Sequence, residues 1–237
     1  MRWKCGLTAA LVLCAVLLAS CNLGFFANSM GKDLARDPST ITVTAKNVDA
    51  LLKESRGDPK ASKGILDNIA EQLKNNPNPD PKLQAAAVTA ANQAAGLGEL
   101  VLENIGTVLE DPENVSYENL LDEVLKSADE KDIKGVSEQI TASLGRAVTS
   151  GNPPKFTGNF IDGVSGADLT QLAFTLILAE ASGDVNTYVD DWGSGKKLDG
   201  TGLSSSERLI AAIANELAGR KDNKMGNQLK EFLGDDE

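Results

Sequence analysis

From Asn47 onward, apolar side chains recur every three or four residues almost without interruption. That spacing follows the 3.6-residue turn of an α-helix and not the two-residue alternation of a half-buried strand. Val48, Leu51 and Leu52 open the pattern, and Ile65, Leu66, Ile69 and Leu73 continue it. Leu83, Ala86, Ala87, Ala90, Ala91 and Ala94 form a third stripe, built mostly of alanine. Further stripes fall at 100–109, 120–128 and 133–147. Leu172 to Ala181 is apolar nearly all round, the mark of a central buried helix. Val185, Tyr188, Val189 and Trp192 share a face, and stripes at 209–217 and 225–233 close the chain. The fold class expected is all-α: an irregular helical bundle or solenoid-like stacked helix pairs, with about nine or ten helices.

The punctuation agrees with the periodicity. Asp58-Pro59, Asp80-Pro81 and Asp111-Pro112 each set a capping carboxylate before a proline suited to the first helical position. Ser204 and Glu207 have capping-box spacing. Gly57, Gly151, Gly183 and Gly219 stand where helices should stop. The intervals between the Asp-Pro caps are unequal, so no fixed period emerges, and the tetratricopeptide layout is absent.

The first 21 residues have a different grammar. Arg2 and Lys4 precede an apolar run from Leu7 to Leu18, followed by Ala19, Ser20 and Cys21. A basic start, a short apolar run and small residues describe a secretory signal, and the run is too short to span a bilayer. Leu18-Ala19-Ser20-Cys21 resembles the lipobox of bacterial lipoproteins. The resemblance implies cleavage before Cys21, diacylglycerol on its sulfur and, usually, acylation (palmitate, for example) of the new amino terminus. It places the protein on a membrane of the cell envelope, facing the periplasm or the surface. Asn22 follows the cysteine, and the lack of aspartate there favours the outer membrane over the inner. The expected organisation is a signal peptide over 1–20, a lipidated tether over 21–46 and a helical domain over 47–237. Within the tether, Thr40-Ile41-Thr42-Val43-Thr44 alternates as a short strand or an extended linker would.

Composition excludes much chemistry. The chain has no histidine, which removes histidine bases, Ser-His-Asp triads and histidine metal sites. Cys5 and Cys14 fall in the signal and Cys21 carries the lipid, so the mature domain has no thiol or disulfide. Removal of the signal leaves 21 basic and 34 acidic side chains, a formal charge of -13. Such acidity opposes nucleic-acid binding, which needs basic patches. No catalytic residue, cofactor or metal is expected.

Two glycine-rich stretches draw the eye. Residues 149–166 contain Phe156 and Phe160, and loops of such length without regular structure are often functional. Residues 190–202 hold Asp190, Asp191 and Asp199, but the spacing fails the calcium-loop pattern. Gly96-Leu97-Gly98 follows no strand and is no dinucleotide fingerprint. The mature chain has few rings, and Phe156, Phe160, Tyr188 and Trp192 cluster in or beside these stretches, which makes them the candidate binding residues. The alternative is that the rings cover the core. The function expected is a membrane-anchored, non-enzymatic scaffold that binds a protein or peptide. The alternative is a lipid-anchored solute-binding subunit, or an accessory of a transporter or envelope machine, with a small-molecule pocket.

Overall fold

The computed structural model describes residues 42–97, 130–181, 187–188, 191–192, 198–221, 227, 229–230 and 233. The signal, Cys21, the tether up to Ile41, the stripes at 100–109 and 120–128, the Asp111-Pro112 cap, and Val185, Val189, Asp190, Met225 and Phe232 lie outside these residues. Six α-helices are described: α1 (Val48–Glu54), α2 (Pro59–Lys74), α3 (Pro81–Ala95), α4 (Glu130–Leu144), α5 (Gly166–Ala181) and α6 (Ser205–Gly219). Among the described residues there is no strand beyond one isolated antiparallel bridge, Val148 to Phe156. The all-α expectation holds at this level.

The caps form as the sequence implies. Asp58 Oδ1 accepts from the Ala61 amide at 3.0 Å, and Asp80 Oδ1 accepts from the Lys82 amide at 2.8 Å. In each case a proline fills the first turn, where its missing N–H leaves no donor unsatisfied. Ser204 and Glu207 complete a capping box at α6. Gly96 ends α3 in the left-handed conformation, with φ of 65°.

Helix α3 packs against α1, α2, α4 and α5, and α4 packs against α2, α3, α5 and α6. The alanine stripe explains how one helix serves so many neighbours. Ala87, Ala90 and Ala91 are fully buried, and their short side chains let adjacent backbones come close. Helix α5 is buried on all sides from Leu169 to Ala179, as its largely apolar sequence favours. A polar clasp joins α3 to α5: Asn92 Nδ2 donates to Asp168 O at 2.9 Å, and Gln171 Nε2 donates to Asn92 O at 3.2 Å. Both side chains are buried, so these bonds offset the cost of removing two amides from water.

The packed unit begins before Asn47. Val43 is fully buried, and its carbonyl accepts from Gln72 Nε2 at 2.8 Å. Asn47 Oδ1 accepts from the Thr44 amide at 2.7 Å and turns the chain into α1. Residues 42–46 are therefore the first layer of the domain, and the Thr42–Thr44 alternation is used neither as a strand nor as a free linker.

Candidate functional site

Residues 149–166, read from sequence as a loop, and the end of the stripe before them are held by short local structures. Gly145–Ala147 and Phe160–Gly163 form 3-10 turns. Between them the Thr149 amide donates to Lys155 O at 2.8 Å, and the Thr157 amide donates to Ala147 O.

Helix α6 fastens this segment from the side. Arg208 Nη1 donates to Gly200 O at 2.9 Å, and Nη2 donates to Gly151 O at 3.2 Å and to Thr149 O at 3.4 Å. Asn215 Nδ2 spans Pro154 O at 3.4 Å and Leu198 O at 3.3 Å. Just past the helix, Arg220 donates to Val164 O at 2.9 Å and Ile161 O at 3.0 Å. Carbonyls that would otherwise be stranded near the core thus gain charged or amide donors. Gly200 completes the seam. It adopts a φ of +101°, and a Cβ there would stand 2.6 Å from the Asn152 amide group and 3.1 Å from the Pro154 ring.

The four aromatic candidates separate into two pairs. Phe156 and Phe160 meet edge to face, with centroids 5.5 Å apart. Tyr188 and Trp192 do the same at 6.3 Å. Phe160, Tyr188 and Trp192 are 2%, 7% and 2% exposed, and half-buried Phe156 packs against the same core. The expectation that Phe160, Tyr188 and Trp192 form a binding surface is corrected: they belong to the core. The physical reason is supply, because a chain poor in rings uses its largest apolar groups where burial returns most. Burial holds the Tyr188 hydroxyl well above the ordinary phenol range. The neighbouring Trp192 opposes this as the next largest influence, and the carboxylates of Glu207 and Glu180 raise it by less.

A cleft of about 650 Å³ lies elsewhere. One wall is the end of α4 and the turn after it, with Ser137, Glu138, Thr141 and Arg146. The second wall is Val148 to Ser150, the stretch that Arg208 fastens. The floor joins Glu180 at the end of α5 to Ser205 and Ser206 at the start of α6. Ser206 Oγ donates to Glu180 Oε1, and the hydroxyls of Ser206 and Ser204 lie 3.2 Å apart. Thr141 Oγ1, sealed from solvent at the back of the α4 wall, has no hydrogen-bond partner.

The cleft carries charges of both signs. Glu180 is half-buried, and among the described residues its second oxygen accepts no hydrogen bond and no cation pairs with it. Glu138 and Arg146 are exposed and form no ion pair among the described residues, and Arg208 meets only carbonyls. Two other clefts, each of about 400 Å³, border Asp49 and Lys82 on one side and Asn76 to Pro79 on another. In the first, Lys82 Nζ and Asp49 satisfy each other at 2.7 Å.

Sequence reasoning missed Glu180, Arg146 and Arg208. Each is an isolated charge on a helix or turn, and their convergence depends on segments tens of residues apart. Among the described residues no group of three or more acidic side chains is arranged to hold a metal ion. No protein-family model, no curated protein and no solved structure matches this chain.

Proposed function

We propose that this chain is a bacterial lipoprotein of the cell envelope, anchored through Cys21, whose helical domain is a non-enzymatic binding module for a protein or peptide. Leu18-Ala19-Ser20-Cys21 supports the address. Two or more acyl chains would make the anchor stable, since a single chain holds only marginally. The observation that carries the binding reading is the open, hydroxyl- and charge-lined cleft between α4, α5 and α6. Small-molecule sites enclose most of their ligand. This cleft is an open trough on the surface and suits an extended partner better, so the protein or peptide reading is preferred to the small-molecule accessory. The stripes at 100–109 and 120–128 support the finer expectation of about nine or ten helices.

The test joins both halves of the proposal. A photo-crosslinking residue at Ser150, beside the cleft, is compared with one at Lys60, an exposed position in the first turn of α2. The expected result is fatty-acid label in the wild type and none in Cys21→Ser, with a discrete adduct from position 150 alone. Equal labelling of both proteins removes the anchor. Identical adducts from both positions remove the cleft.

A further inference from the structure

We propose that the cleft between α4, α5 and α6 binds a short peptide with free ends, its ammonium group against Glu180 and its carboxylate against Arg146. The inference rests on the binding reading above and names the ligand's chemistry. A half-buried carboxylate with an unoccupied oxygen and an arginine without a carboxylate border the same cleft. Glu180 is partly withdrawn from water, and among the described residues it accepts only the Ser206 hydroxyl. A cationic donor reaching its second oxygen would form the charge-assisted bond that the fold leaves unmade. Arg146 lines the same cleft from the turn after α4 and offers a planar fork suited to a carboxylate.

The space between the two charges suits a peptide backbone. Ser137, Thr149 and Ser150 supply hydroxyls that both donate and accept, which matches alternating N–H and C=O groups. No aromatic ring lines the cleft, so the stacking surface that sugars and bases favour is missing. A volume of about 650 Å³ lies within the range of ligand sites. Arg208 is a positioning residue: through Thr149 O and Gly151 O it holds the Val148–Ser150 stretch that lines the cleft.

The experiment is calorimetric titration of the full-length lipidated protein in detergent with three probes: tetra-alanine with free ends, its N-acetyl form and its C-terminal amide. Free tetra-alanine is expected to bind, and each blocking group to weaken binding about tenfold, the weight of one lost charge contact. Glu180→Gln should abolish the penalty of acetylation and leave that of amidation. Arg146→Gln should do the reverse. The acetyl and amide comparisons in the wild type need no variant, so a misfolded variant leaves the test intact. Equal binding of the three probes overturns the proposal, as does no binding of any, or binding of free alanine as tightly as the peptide. If titration fails while the Ser150 adduct persists, the peptide-end assignment falls and the binding module stands. If both fail, both readings fall.

Discussion

Tyr188 is the residue whose chemistry the fold alters most among the described side chains. Its raised ionisation follows first from burial, because a phenolate there would lose its hydration, and then from the negative potential of Glu207 and Glu180. The unfolded chain ionises this tyrosine near the ordinary value of about 10. Its contribution to stability is therefore complete below about pH 10 and is lost as pH climbs toward the raised folded value. Tyr188→Phe should flatten the alkaline decline. Urea midpoints measured at about pH 9 and about pH 11 check this, and an equal drop in wild type and variant would refute it. The four-residue spacing of Tyr188 and Trp192 makes their shared face legible in sequence. The direction of that face is not, because Glu180 and Glu207, which meet the tyrosine, come from other helices. Glu180 itself gives no local signal, since a glutamate near a helix end is usually only a solvated charge.

At the scale of elements, periodicity and capping residues made the described helices readable. Asp58, Asp80 and Ser204 start α2, α3 and α6 because capping is a contact within three residues of sequence. The segment from Thr149 to Val164 was less readable because its order comes from Arg208, Asn215 and Arg220, more than fifty residues away. The alanine stripe of α3 carries a sharper expectation. Ala90 is fully buried in a helix that four others touch, so a larger side chain must push a neighbour's backbone. Ala90→Leu should destabilise the protein by about 1–3 kcal/mol or more, the usual range for overpacking. Thr89→Leu, one position along on a half-buried face, should cost clearly less. Equal losses by thermal melting would show that α3 is not packed as described.

For the molecule as a whole, the excess of acidic groups sets a measurable trend. A formal charge of -11 makes the folded state repel itself, and salt screens that repulsion over about 8–10 Å. Only three ion pairs are described, two of them i,i+4 pairs. Screening should therefore relieve more repulsion than it removes attraction. The melting temperature is expected to rise by a few degrees between about 0.01 M and about 0.15 M sodium chloride. A flat or falling profile would place the acidic groups in attractive arrangements that outweigh their repulsion. The seating of Val43 in the core has a consequence for reach. With lipid on Cys21, 21 residues of chain would separate the anchored residue from Val43, where the domain grips the segment before α1. Covalent geometry limits that leash to about 75 Å whatever its conformation. The domain then patrols a thin shell above the bilayer, and a partner meets it only by entering that shell.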